Sequence, residues 1–282
     1  MNRSNIQCHR SSPGSASMIQ SPLLIAQITD THLFADSHQD LLGMPTTDSF
    51  QALLEHLSRL SPQPDLLLLT GDLSQDGTPE SYDRLQTLLA PLGIPVYWLP
   101  GNHDAELEEM ERSLTHPLFF PDRSFAAGGW RFVLLDSQET GCVHGSLLPR
   151  ELNRLDRDLN QHSEQPTIVA LHHPPFQMRS DWLDTSILQN PEDLFAVLDR
   201  HAQVKLVLFG HIHQEFHRQR RRVTYLGTPS TCIQFEPRSR DFSIDSKKPG
   251  FRLLNLYPNG AWNTQVKRIT YAQQLDLAAI GY

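Results

Sequence analysis

The chain has 282 residues, a formal net charge of −8 and three cysteines. Its length suits one large domain or two small ones, and with nothing in the middle that reads as a linker, one α/β domain is the simpler reading. The acidic balance counts against broad nucleic-acid binding, and Cys8, Cys142 and Cys232 are too scattered for a disulfide framework or a thiolate zinc cage, which fits a reducing cytoplasm.

In chain order, residues 1–21 are rich in Ser, Asn, Gln and Pro and lack the apolar stretch of a secretory signal. They read as a disordered extension, with a start further along as the alternative. No apolar run reaches membrane-spanning length. Leu23–Ile28 is a short, uninterrupted apolar run, the pattern of a buried strand, and it ends in Thr29-Asp30-Thr31-His32. Residues 49–60 carry Phe50, Leu53, Leu54 and Leu57 at helical spacing, with Asp48 as N-cap. Leu66–Leu69 is a second buried strand and runs into Gly71-Asp72. Residues 79–89 read as helix, and 95–99 as a strand ending in Pro100-Gly101-Asn102-His103-Asp104.

The rhythm continues with a strand at 130–135, a helix at 149–160, and a strand at 167–171 that stops at His172-His173-Pro174. A helix follows at 192–199, then a strand at 204–209 ending in Gly210-His211-Ile212-His213. Residues 251–257 and 262–269 form a hairpin around Pro258-Asn259-Gly260. The domain spans 22–272, with 273–282 as a C-terminal tail. Five apolar strands thus each stop at a cluster rich in Asp, Asn and His. Ligands of open α/β sheets bind beyond the carboxyl ends of strands, so these clusters can converge on one site.

The candidate metal ligands are Asp30, His32, Asp72, Asn102, His172, His211 and His213. Carboxylate oxygens and neutral imidazoles suit Mn, Fe and Zn. Seven donors exceed the needs of one four-coordinate ion and suffice for two. In Asp30-Thr31-His32 and His211-Ile212-His213, alternate residues of an extended segment would face one side. Paired ions about 3.5–4 Å apart are the usual device for in-line displacement at phosphorus. Asp72 is the natural bridge, and Gly71 and Gly101 suit sharp turns against the site. His103, next to Asn102, is placed to stabilise transition-state charge or protonate a leaving alkoxide, and Asp104 to hold its tautomer. Either of the adjacent His172 and His173 could be the donor on its strand.

In this order, Asp30/His32, Gly71/Asp72, Gly101–Asp104, His172 and Gly210–His213 resemble the calcineurin-like metallophosphoesterase family, over about residues 23–271. The resemblance implies a two-sheet β-sandwich flanked by helices, a four-layer αββα arrangement. It implies a first metal on Asp30, His32, Asp72 and His213 and a second on Asp72, Asn102, His172 and His211, choosing His172 over His173. It makes His103 and Asp72 catalytic, with His32, Asp72, Asn102, His103 and His213 around the substrate. Ile28–Ala35, Trp98–Asp104, Leu134–Gln138, Gly210–Glu215, Thr228–Phe235 and Gly281-Tyr282 are similar to the bacterial class III cyclic AMP phosphodiesterases within that family. This implies hydrolysis of 3′,5′-cyclic AMP to 5′-AMP in the cytoplasm with two divalent ions, Fe²⁺ or Mn²⁺ in its place. No nucleic-acid or membrane partner is implied, and the oligomeric state stays open. The rivals are another phosphoesterase of the family, acting on a nucleotide, glycerophosphodiester or phosphoprotein, and a non-catalytic scaffold of the same fold.

Taken singly, each motif reads more simply as a turn or a capped helix; their joint occurrence carries the inference. Arg218, Arg220, Arg221 and Arg222 read as a solvated hairpin tip or as a patch that steers an anionic nucleotide. Glu106, Glu108, Glu109 and Glu111 suit the start of a helix. His144, His162, His201 and His217 fall outside the motifs.

Overall fold

A computed structural model describes residues 21–271 and 275–281. Apart from Ser21, the expected extension over 1–21 lies outside the described residues, as do Cys8, parts of the 273–282 tail and Tyr282. The chain enters as β1 (Leu23–Ile28) and passes a small hairpin, β2 (Asp40–Leu41) and β3 (Met44–Pro45), into α1 (Thr46–Ser58). It continues through β4 (Leu66–Thr70), α2 (Pro79–Leu89), β5 (Val96–Leu99), α3 (Leu107–Ser113) and β6 (Phe119–Phe120). Next come β7 (Ser124–Ala127), β8 (Trp130–Leu134), α4 (Pro149–Gln161), β9 (Thr167–Ala170), α5 (Pro191–Leu198), β10 (Val204–Phe209), β11 (Phe216–Arg220) and β12 (Val223–Gly227). A short pair, β13 (Gln234–Phe235) and β14 (Ile244–Asp245), precedes the closing hairpin, β15 (Gly250–Leu256) and β16 (Trp262–Arg268).

Two six-stranded sheets result, with orders β16-β15-β1-β4-β5-β6 and β11-β12-β10-β9-β8-β7. β1, β4 and β5 run parallel, as do β8, β9 and β10. Each sheet therefore presents several strand carboxyl ends in one direction. Strand residues alternate between faces, and both faces are used. Ile25, Leu66, Leu68 and Leu254 meet Phe132, Leu134, Ile168 and Leu206 between the sheets. Leu67, Leu69 and Trp98 turn outward onto Phe50, Leu53, Tyr82 and Leu85 of α1 and α2. Val169, Val207 and Tyr225 pack against Leu155 and Leu159 of α4 and Leu194 and Leu198 of α5. The order helix, sheet, sheet, helix is the expected four-layer arrangement, and burial on both faces explains why the central strands read as continuous apolar runs.

A polar seam crosses the space between the sheets below the site. The Gln27 amide donates to Thr70 Oγ1 and the Phe209 carbonyl, while Thr228 Oγ1 donates to Gln27 Oε1. Arg252, only 3% exposed, donates to Thr228 Oγ1, Thr264 Oγ1 and the Gly227 carbonyl. The guanidinium on β15 thereby ties the first sheet to β12 of the second.

Three local expectations shift. α1 begins at Thr46 rather than after Asp48: Pro45 occupies the N-cap with extended backbone, and Asp48 lies in the first turn, where its charge suits the dipole. The arginine run does lie at the β11–β12 hairpin, but it is partly pinned. Arg220 forms a bidentate pair with Asp199 at 2.6 and 3.1 Å, and Arg218 and Arg220 lie over the rings of Phe176 and Phe195. The described part of the tail packs back, with Asp276 N–H donating to the Leu42 carbonyl. Among the described residues no helix is long and apolar enough to cross a membrane.

Candidate metal centre

The loops after β1, β4 and β5 meet those after β9 and β10 at one edge of the sandwich. Asp30 N–H donates to the Gly71 carbonyl and His32 N–H to the Asp72 carbonyl, each at 3.0 Å, which knits the first two loops together. Asp72 Oδ1 accepts from His103 N–H at 2.9 Å, bringing in the third. Asp30 Oδ1 accepts from His211 N–H at 3.0 Å, crossing to the second sheet. Asp30, His32, Asp72, His211 and His213 all have positive φ, between 46° and 67°. The two His-bearing triplets are therefore not extended, as the sequence suggested; their side chains converge through left-handed backbone. Such conformations cost about 1–3 kcal/mol each and collect at functional sites.

All seven candidate donors come together. His213 Nε2 stands 3.1 Å from His32 Nε2 and 3.4 Å from Asp30 Oδ1. His172 Nε2 lies 3.2 Å from Asp72 Oδ2, which is also 3.8 Å from His32 Nε2. His211 Nδ1 is 3.0 Å from Asn102 Oδ1 and 3.3 Å from His172 Nε2. Two nests share Asp72: Asp30, His32 and His213 on one side, Asn102, His172 and His211 on the other. The carboxylates and the carboxamide come from the first sheet with His32, and the other three imidazoles come from the second. The half-buried His103 ring stands edge-on to His32, centroids 5.0 Å apart.

Outer hydrogen bonds fix which nitrogen faces inward. His172 Nδ1–H donates to the Thr70 carbonyl at 2.8 Å, His213 Nδ1–H to the Ile233 carbonyl at 2.9 Å, and His32 Nδ1–H to Gln75 Oε1 at 2.6 Å. Each Nε2 then faces the centre. His211 is held the other way round, its Nε2 against Ser186 Oγ at 3.1 Å and its Nδ1 inward. Burial drives the pKa of His32 down to about 3 and that of His211 well below the usual histidine value, so both are neutral, the ligating form. His172 is opposite: burial lowers its pKa, but Asp72 and Asp30 outweigh that and lift it to about 9. Inward lone pairs 3.1 Å apart beside two buried carboxylates repel one another unless a cation lies between them. The donor set, imidazoles plus carboxylates with ordered outer partners, fits divalent metal.

The same accounting separates His172 from its neighbour. His173 lies close to His172 and His211, but its Nε2–H donates to the Val143 carbonyl and its Nδ1 meets Ser137 Oγ at 2.9 Å, so both ring nitrogens already have protein partners. Cys232 also lies near His32 and His213, but burial pushes its thiol up to about 12, keeping it protonated against Ser230 Oγ.

Gly71 and Gly101 make the close approach possible. A Cβ at Gly71 (φ 90°) would strike the His172 ring, and one at Gly101 would strike Asp72 Oδ1 and its backbone nitrogen. Asp104 has a different role from the expected one. Its carboxylate accepts the N–H groups of Leu73, Ser74 and Gly101 and the Tyr82 hydroxyl, clamping the β4 and β5 loops together. Burial and the nearby Asp72 charge push its pKa up to about 7.

Sequence reasoning missed the residues that orient the ligands. Thr70 and Ile233 act through backbone carbonyls, which carry no side-chain signature. Gln75 and Ser186 belong to no quoted motif. Phe235, whose ring stacks on His213 at 4.1 Å, and Ser230, whose hydroxyl donates to the Asp30 carbonyl at 2.7 Å, lie in the Thr228–Phe235 stretch. The family likeness of that stretch is its signal in the sequence.

A four-layer sandwich with two carboxylate–imidazole nests at its strand ends defines a dimetal hydrolase of phosphoesters. The chain belongs to the calcineurin-like phosphoesterase family, whose model matches residues 23–215. It is 52% identical over 255 residues to a 3′,5′-cyclic-nucleotide phosphodiesterase of Nostoc sp., covering 90% of this chain and 96% of that one. It is 42% identical over 261 residues to the 3′,5′-cyclic adenosine monophosphate phosphodiesterase CpdA of Pseudomonas aeruginosa, covering 92% and 95%. A dimetal phosphatase from Danio rerio shares the fold, with TM-score 0.61 and 15% identity over 88% of this chain and all of that one.

Proposed function

We propose that the chain hydrolyses 3′,5′-cyclic AMP to 5′-AMP at this centre. The observation that carries the reading is the convergence of all seven donors, with every imidazole already oriented by an outer partner; the cyclic-nucleotide relatives supply the substrate. Asp30, His32, Asp72 and His213 would hold one ion and Asp72, Asn102, His172 and His211 the other, as Fe²⁺ or as Mn²⁺ in its place. When bound, the pair supplies Lewis-acid polarisation of phosphoryl oxygens and a more acidic water.

The chain's own residues do the rest. Asn102 and His213 flank the phosphoryl group and orient it, while the buried His32 and Asp72 line its floor. His103, half-buried at the rim, holds a proton at its imidazole for the departing 3′ oxygen. The oxygen of water bonds to phosphorus as one of its O–H bonds gives up a proton to solvent, the bond from phosphorus to O3′ breaks with its electron pair going to O3′, and the His103 proton ends there; solvent then returns a proton to His103. The reading includes a cytoplasmic compartment.

Nucleotide analysis of purified protein incubated with cyclic AMP and Fe²⁺ or Mn²⁺, beside an Asp72→Ala control, tests it. Formation of 5′-AMP that vanishes in the control is the expected result. Cleavage of another phosphodiester with cyclic AMP untouched keeps the family chemistry and overturns the substrate.

A further inference from the structure

The stretch Leu134–Gln138 sits beside the centre without contributing a donor to it. Asp136, just past β8, has its N–H held by Glu151 of α4 and accepts the Gln138 N–H at 2.9 Å, a local turn that fixes where Gln138 begins. From there the Gln138 side chain reaches the loop after β5. Its Nε2 lies 3.0 Å from the Gly101 carbonyl, 2.7 Å from that of Asp104 and 3.5 Å from that of Ala105. These carbonyls bracket Asn102 and His103. Inward-pointing carbonyls repel one another, and one amide with two N–H groups satisfies the nearer pair. Within the same loop, the Asp104 carboxylate accepts Gly101 N–H at 2.9 Å. The rim segment that carries His103 is therefore closed on itself by Asp104 and held from outside by Gln138 of the loop after β8.

We propose that Gln138 is a positioning residue for His103: by gathering the carbonyls on either side of it, Gln138 sets the imidazole where it can deliver its proton to the leaving oxygen. The inference rests on the proposed diesterase reading and assigns Gln138 no contact with substrate or metal. Misplacement of a catalytic group by about 1 Å costs about 10²-fold in rate, so the effect falls on kcat rather than KM.

The test is a double-mutant cycle on metal-loaded protein, using Gln138→Glu, which places acceptor oxygens against the carbonyls, and Gln138→Met, which keeps the shape without a donor. Each is combined with His103→Ala. Cyclic AMP, with an alkoxide leaving group, is compared with bis(4-nitrophenyl) phosphate, whose phenolate departs without a proton. Metal content and melting temperature are measured alongside. The expected result is a loss of about 10²-fold in kcat on cyclic AMP for either Gln138 variant, a much smaller loss on the nitrophenyl diester, wild-type metal content, and no further loss in the His103→Ala background. Equal losses on both substrates, losses that add to that of His103→Ala, or an unchanged kcat would overturn it. If wild-type protein ignores cyclic AMP, the substrate reading fails by itself, and the cycle is run on the alkyl diester it does cleave.

Discussion

Phe235 lies flat on the imidazole of His213, planes 9° from parallel, while the carbonyl of Ile233, two residues earlier, takes the Nδ1–H of the same ring. One strand-like segment thus fixes both the tilt and the tautomer of a donor.

Phe235→Ala is expected to destabilise the fold by about 3–5 kcal/mol, the usual cost of removing a buried phenyl group. It should also weaken metal binding by about 10–100-fold, as loss of an outer-shell partner does. Denaturant unfolding and metal titration check the two effects separately.

His172→Ala and His173→Ala should behave differently although the residues are adjacent. The first should drop metal affinity by more than about 100-fold, beyond the range for outer partners. The second leaves the donor set intact and should cost stability only, since it removes a ring partner from the Val143 carbonyl and from the buried Ser137 hydroxyl. Metal analysis of both variants decides; loss of metal from the His173 variant alone would reverse the assignment.

His103→Ala should retain metal and lose about 10²–10⁴-fold in kcat on cyclic AMP, the range for a positioned general acid. A near-normal rate would remove His103 from the chemistry.

Gly101→Ala should abolish metal binding, because the new methyl group would occupy the place of Asp72 Oδ1 and of the backbone behind it. Spectroscopic titration with Mn²⁺ or Co²⁺ would show it, and far-ultraviolet dichroism would establish that the sandwich persists.

Away from the centre, Asp158 of α4 binds Arg131 of β8 at 2.8 Å through Oδ1 and also accepts from Ser124. Burial would raise its pKa, but the bonds from Arg131 and Ser124 overcome that and hold it below the usual value. A depressed carboxyl stabilises the fold above its ordinary pKa of about 3.9 and loses that contribution as the pH falls through and below it. Asp158→Asn should therefore flatten the acid limb of the stability profile; an unchanged slope below about pH 4 would clear the pair of that role.

The layered fold was legible because strands buried on both faces leave apolar runs, and all five donor clusters were visible because each follows such a run. The placement of β15 beside β1 was not legible, since Leu23 and Leu256 pair across nearly the whole chain and no local pattern encodes that. Nor was the left-handed backbone at Asp30, His32, His211 and His213, which residue type disfavours and tertiary contacts impose. Asp104 misled for a related reason: adjacency to His103 suggested a side-chain partner, whereas the surrounding N–H groups made a stronger demand on its carboxylate.

The polar seam between the sheets has a consequence for biosynthesis. All seven donors lie at or before His213, yet Arg252, which joins the sheets, belongs to β15, downstream of the stretch matched by the family model. A chain still on the ribosome thus owns every donor before it owns the strand that pairs with β1. Possession of the ligands therefore precedes possession of the strand whose guanidinium ties the two sheets together.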